Sequence, residues 1–243
     1  MSTPERVVAA AFVRRGERSG QDTAMIDVGT EGPVRVVHWR DGENRVNTQS
    51  MARFHELLDE LDRVEGPMAL VVIGEGKFFS NGLDLARFGE APEELGPTME
   101  GLHRLLGRLL VFPAYTVAAV NGHAFAAGAM VATVFDHRVM RADRGYWCLP
   151  EVDLGLPLTE EMTAAVAARL PRRAVADAML TGRRYDAPAA LAAGIVEESA
   201  AEGELLACAR QRAAAMAAKD RAVIGAHKRM LFGDAAAACG WPA

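Results

Sequence analysis

Three segments of the chain place small residues, amides and carboxylates where they could act on a ligand. The first is Gly76-Lys77-Phe78-Phe79-Ser80-Asn81-Gly82-Leu83-Asp84-Leu85. Its Asn-Gly turn lets the backbone come close to a ligand, and the N–H groups that follow can point at negative charge. The same residues also fit a plain turn into a helix capped by Asp84. The second segment, Ala118-Ala119-Val120-Asn121-Gly122-His123-Ala124-Phe125-Ala126-Ala127-Gly128-Ala129-Met130, runs from a strand through another Asn-Gly turn into small residues that open a helix. The first N–H groups of a helix have no intrahelical acceptor. His123 is read as structural, because no Ser or Cys nucleophile with an orienting Asp lies near it in the sequence. In the third segment, Leu149-Pro150-Glu151-Val152-Asp153-Leu154-Gly155-Leu156-Pro157, two carboxylates sit among apolar residues and prolines. Desolvation there raises a carboxyl pKa and makes it a candidate for proton transfer, whereas an exposed loop would leave both acids ordinary.

The elements that must hold these segments follow from periodicity. Met25–Val28 and Val34–Trp39 are short β-branched runs separated by Gly29, Gly32 and Pro33, a pattern for two antiparallel strands. Between Ser50 and Leu61 the apolar residues Met51, Phe54, Leu57, Leu58 and Leu61 recur at helical spacing. Met68–Gly74 is a nearly continuous apolar run, as expected of a parallel strand buried on both faces, with the preceding helix as its crossover. The unit repeats in kind: an acidic connection at Pro92–Leu95, a helix over Met99–Phe112, a strand over Thr116–Val120 and a helix over Ala124–Val134. Arg138–Met140 and Tyr146–Cys148 are further strand candidates. Beyond Leu156 the pattern predicts helices only: Glu160–Arg169, Arg172–Met179, Ala187–Ala193, Glu204–Ala217 and Arg221–Phe232.

With 243 residues, half of them hydrophobic, the chain can bury one large core, and no apolar run is long enough to span a membrane. The 27 basic and 32 acidic residues give a net charge of −5 with no basic block, which argues against nucleic acid as a partner. Three separated cysteines without a CxxC pair point to a reduced, cytoplasmic chain without structural zinc. Residues 1–24 match neither a secretory signal nor a transit peptide and read as a loosely attached leader. The expected organisation is that leader, an α/β core over 25–200 and C-terminal helices over 201–243.

Taken in order, the three segments resemble those of the crotonase, or enoyl-CoA hydratase/isomerase, superfamily. The likeness runs from about Met25 to Phe232 and continues through Leu180-Thr181-Gly182-Arg183-Arg184-Tyr185-Asp186-Ala187 and Ala190–Val196. It implies a crotonase-like spiral of ββα units with a C-terminal helical region, assembled as a homotrimer or dimer of trimers. The implied substrate is an acyl-CoA thioester, with no separate cofactor. Two oxyanion-hole N–H groups carry over to Leu83 and Ala127, where the backbone does the work and small neighbours let it.

The resemblance also says where carboxylates belong. Hydratases of this superfamily carry one Glu two residues after the glycine that closes the second motif and another in the Pro-Glu of the third. Here those positions are Met130 and Glu151. A thioether can neither activate water nor return a proton. The chain therefore looks more like the single-glutamate Δ3,Δ2-enoyl-CoA isomerases, with Glu151 as the shuttle base and Asp153, Glu160 and Glu161 as alternatives. Hydration, thioester hydrolysis and a non-catalytic acyl-CoA-binding role stay open at this point. By the same resemblance, Asn44, Arg45, Val46, Ser80, Asn81 and Gly82 border the CoA moiety, and Lys228 or Arg229 could reach a phosphate. Phe125, Met130 and Trp147, with Leu102, Leu105 and Leu106, are candidates for the acyl pocket, although such a set at helical spacing is more often core. Leu156-Pro157-Leu158-Thr159 stands where hydratases carry a glycine pair, which implies a differently shaped pocket.

Overall fold

A computed structural model describes residues 25–242; the leader read at 1–24 lies outside the described residues. The chain opens with β1 (Ile26–Glu31) and β2 (Val34–Trp39), antiparallel as their turn predicts, followed by α1 (Thr48–Asp62). Asn47 caps α1: its side chain accepts from the Ser50 N–H while Ser50 Oγ accepts from the Asn47 N–H, so two otherwise orphaned donors are satisfied.

Three ββα units follow. The first is β3 (Ala69–Gly74), β4 (Phe78–Ser80), the short α2 (Leu85–Glu90), a 3-10 turn at Pro92–Glu94 and α3 (Leu95–Val111). The second is β5 (Tyr115–Val120), β6 (His123–Phe125) and α4 (Ala127–Thr133); the third is β7 (His137–Arg141), β8 (Trp147–Cys148) and α5 (Glu151–Leu154). The first strand of each unit joins a six-stranded sheet of order β1-β2-β3-β5-β7-β9, parallel from β2 onward, and the second joins a three-stranded parallel sheet, β4-β6-β8. The chain closes with α6 (Glu160–Arg169), α7 (Arg172–Thr181), α8 (Ala187–Ala193), β9 (Glu198–Ala200), α9 (Glu202–Ala217) and α10 (Arg221–Ala238).

The continuous apolar runs are explained by burial on two sides. Val36, Val71, Val117, Ala119 and Val139 face α9, while Leu70, Val72, Ala118, Val120 and Met140 face the larger core built by α1, α3, α4 and α6. In the small sheet Phe79, Ala124, Trp147 and Tyr185 point inward and are fully buried, with Trp147 bridged to Tyr185. No helix among the described residues is long and apolar enough to cross a membrane.

Two expectations are corrected. The segment 124–134 is not all helix: residues 123–125 form β6, since Phe78 and Trp147 offer strand partners on both sides. The C-terminal part is not helices only, because β9 pairs with the free edge of β7. The third segment forms the short helix α5, which separates the directions of Glu151 and Asp153.

Candidate active site

Two loops cross at the top of the small sheet. The Val46 N–H donates to Gly82 O at 2.8 Å and the Asp84 N–H donates to Val46 O at 3.0 Å. Because alternate peptide groups face opposite sides of such a bridge, the Leu83 N–H is turned away from Val46. Gly82 makes the crossing possible: at φ +77 it occupies the left-handed region, and a Cβ there would lie 2.9 Å from both the Ala126 Cβ and Phe125 O and 3.4 Å from the Ala127 N. The two peptide groups at Leu83 and Ala127 are thus neighbours. Gly128 serves the same closeness, since a Cβ on it would meet Ser80 O at 2.4 Å. Gly82→Ala is expected to cost about 1–3 kcal/mol through overpacking, read as a lowered urea midpoint, and to depress ligand binding with it.

Ala126, the residue before α4, has φ 51 and ψ −125, a conformation that costs a non-glycine residue about 1–3 kcal/mol. It turns the chain so that α4 starts without a side-chain cap. Neither the Leu83 nor the Ala127 N–H has a protein acceptor among the described residues.

Both groups open on a cavity of about 350 Å³. Its polar lining is Glu151, Arg45, Asn81 and Thr159, and the rest is mostly apolar, with Phe125, Leu154, Leu156, Met99 and Met162 contributing. Glu151 starts α5 directly after Pro150 and is only 8% exposed. Its Oε2 is buried without a hydrogen-bond partner among the described residues. Burial pushes its pKa above the usual carboxylate value, opposed by a backbone hydrogen bond. A larger cavity of about 460 Å³ lies between α7 and α8, but there Asp177 is already engaged by the Tyr185 hydroxyl and Arg183. It offers no unpaired base.

The other carboxylates are elsewhere. A Cβ on Gly182 would lie 2.6 Å from Asp153 Oδ2, which puts that acid over the end of α7. Glu160 and Glu161 occupy the first turn of α6, where negative charge complements the helix dipole, and neither lines the cavity. The described residues hold no group of three or more His, Cys, Asp or Glu able to take a metal.

Several residues expected at the ligand serve the scaffold instead. Lys228 is buried in α10, donating to Ala114 O at 2.8 Å and paired with Asp136; its ammonium is not at the surface to meet a phosphate. Burial dominates its lowered pKa, partly offset by Asp136. Arg229 is exposed on the same helix. Asn44 Nδ2 donates to the Phe78 and Phe79 carbonyls at 3.1 and 3.2 Å, and Ser80 Oγ donates to Asn44 O at 2.6 Å. Val46 and Gly82 contribute backbone to the crossing, so of the six residues expected to border CoA only Arg45 and Asn81 line the cavity. Arg45 is oriented by Glu43, which also accepts from Asn81 Nδ2 at 3.0 Å.

Of the expected acyl-pocket residues, Phe125 lines the cavity and Met130 and Trp147 do not. Met130 is packed into the larger core, and the Trp147 indole N–H lies under α4, within 3.2 Å of both Ala129 O and Thr133 Oγ1. Leu102, Leu105 and Leu106 are core as well. The changed segment at 156–159 does shape the cavity, through Leu156, Pro157 and Thr159. Met99 and Met162 were missed, since a methionine at helical spacing carries no sign of facing a void. His123 is stacked among Phe78, Phe125 and Tyr146, outside the cavity lining, and its buried Nδ1 has no partner among the described residues.

Residues 33–237 match the enoyl-CoA hydratase/isomerase family. The chain belongs to this family. It is 34% identical over 173 residues to the peroxisomal enoyl-CoA delta isomerase 2 of Arabidopsis thaliana, covering 68% of this chain and 72% of that one. Among solved structures, an enoyl-CoA isomerase of Mycobacterium tuberculosis superposes with a TM-score of 0.82 at 27% identity, covering 89% of this chain and 94% of that one. An enoyl-CoA hydratase from Mycobacterium marinum gives 0.81 at 26% identity, with 89% and 95% covered. The crotonase-like fold is therefore shared with members named for either reaction, and the choice between reactions falls to the site of this enoyl-CoA hydratase/isomerase family member.

Proposed function

We propose that the protein moves the double bond of a 3-enoyl-CoA thioester to the 2-position, with Glu151 as the single proton shuttle. The observation that carries this is one buried carboxylate whose Oε2, like two backbone N–H groups at the same cavity, has no partner among the described residues. Ionised Glu151 takes the proton from C2, and the electron pair moves into the thioester carbonyl to give an enolate. The Leu83 and Ala127 N–H groups bind its oxygen, where charge is greatest. The enolate collapses with the double bond shifted, and C4 takes the proton back from Glu151. No atom is gained or lost, so one base suffices, whereas hydration requires a water and a second group to manage it. Met130 supplies no such group, and Asp153 is turned to α7.

Arg45 and Asn81 at the cavity are our choice for the polar part of the CoA ester, with Phe125 against the acyl chain. A homotrimer or dimer of trimers accords with the exposed Met230 and Leu231 on α10, which leave apolar surface for another copy.

The test is an assay of purified protein with trans-3-hexenoyl-CoA and, separately, trans-2-hexenoyl-CoA, with products identified by mass. Appearance of the conjugated 2-enoyl thioester at unchanged mass is the expected result. Water addition to the 2-enoyl ester without isomerisation of the 3-enoyl ester would overturn the proposal.

A further inference from the structure

We propose that the Thr159–His103 contact is the end wall of the acyl cavity and sets the longest acyl chain the site accepts. The inference rests on the acyl-CoA reading above and names the residues that determine its chain length. A second, more open cavity of about 320 Å³ draws on the same two helices and is lined by Glu100, His103, Arg104 and Glu161 together with Cys239 near the end of α10. The two cavities divide the same two helices between them. On α3, Met99 faces the acyl cavity while Glu100 and His103 face the second; at the start of α6, Thr159 and Met162 face the first while Glu161 faces the second.

Thr159 and His103 meet across this partition. Thr159 Oγ1 accepts from the Met162 N–H at 3.3 Å as the cap of α6, and it lies 3.1 Å from His103 Nε2. The hydroxyl oxygen keeps a second lone pair, so this contact is a hydrogen bond whose direction is set by the His103 tautomer. Burial lowers the His103 pKa, with Glu161 acting in the opposite sense. Displacing either group breaks this part-buried hydrogen bond. Met99 and Met162 can adapt to a chain end by changing rotamer. Thr159 and His103 are fixed by their hydrogen bonds.

The lining changes character at the same place. In front of the wall a methylene meets Met99, Met162 and Leu156. Behind it the chain would meet Glu100, Arg104 and Glu161. Each methylene added in front of the wall should tighten binding about four-fold, and those added beyond the limit should gain nothing.

The experiment measures dissociation constants of straight-chain saturated acyl-CoA esters, from hexanoyl to hexadecanoyl, by calorimetry on the full-length chain. The wild type is expected to show a break in affinity against chain length. Thr159→Ser combined with His103→Ala keeps the capping hydroxyl but removes the bulk, and should move the break outward by about two methylenes, each worth about four-fold. His103→Phe keeps the bulk and should leave the break in place. An unmoved break in the double variant, or no break in the wild type, overturns the wall. If the double variant does not fold by its melting curve, Met99→Phe decides: a filled cavity moves the break inward, and an unmoved break again overturns the proposal. Failure of the isomerase reading is distinguishable, because it would show as absent 3-hexenoyl-CoA turnover with the binding break intact. Absence of any acyl-CoA binding would overturn both.

Discussion

Glu151→Gln is expected to lower turnover of 3-hexenoyl-CoA by about 10²–10⁴-fold, the usual contribution of a positioned general base, and to raise the melting temperature at neutral pH. Both effects come from one cause. Glu151 Oε2 is buried without a partner among the described residues, and desolvation raises the pKa of the group from an ordinary 4.5. To take a proton from C2 the group must be ionised, yet in this apolar setting the ionised form is the costly one. Below the ordinary value the carboxyl is protonated in both folded and unfolded chains and has no effect on the balance. As pH climbs from there through the raised folded value, the unfolded chain loses the proton first and folding stability falls. Above the raised folded value the full penalty applies, and the neutral amide of Gln removes it. The stability advantage of the variant should therefore vanish in acid, while wild-type activity should decline as pH drops through a value above that of an ordinary glutamate. Melting curves and initial rates over the same pH series check the two together. A variant that keeps its activity would remove Glu151 from the reaction, and one that melts lower at neutral pH would make it a structural group.

The parts of this site differed in how far the sequence exposed them, and the difference is physical. Strands buried on both faces announce themselves by unbroken apolar runs, so β3 and β5 were legible, and α6 and α8 had the bounds that their caps at Thr159 and Asp186 dictate. The three-residue β6 was not, because Ala124 and Phe125 suit a helix equally well and only the neighbouring β4 and β8 decide. The short β9 likewise depends on the edge it pairs with. The backbone groups at Leu83 and Ala127 were singled out only by the family resemblance, since clustered glycine and alanine mark a close approach of chains without saying which N–H stays unpaired. Lys228 could not be placed: a lysine on a helix looks the same in sequence whether it faces solvent or Asp136. Which apolar side chains border a void and which fill the core was the least legible, as Met130 and Met162 show. The distinction lies in a gap between helices, and no local pattern encodes it.

Ala127→Pro should reduce turnover by about 10²–10³-fold, the scale for losing one oxyanion donor, and should also lower the melting temperature, because a proline restricts the preceding Ala126 at φ 51 and ψ −125. Proline is tolerated at the first position of a helix, since its missing N–H would have no intrahelical acceptor there. Ala127 holds that position in α4, and its N–H has no acceptor among the described residues, so the substitution removes no hydrogen bond within the fold. What it removes is the donor that the positive φ of Ala126 aims beside Leu83, and the ring carbon replacing the hydrogen would stand where the thioester oxygen must lie. Ala127→Gly provides the contrast. It keeps the N–H and costs about 0.5–1 kcal/mol of helix stability, so kcat should stay close to wild type although the protein melts slightly lower. A proline variant that folds, binds the thioester and turns over normally would show that the enolate oxygen is held elsewhere. Loss of turnover in both variants would instead mean that the Ala127 methyl, and not its backbone, matters. The pair separates these because side chain and N–H are changed one at a time at a single residue.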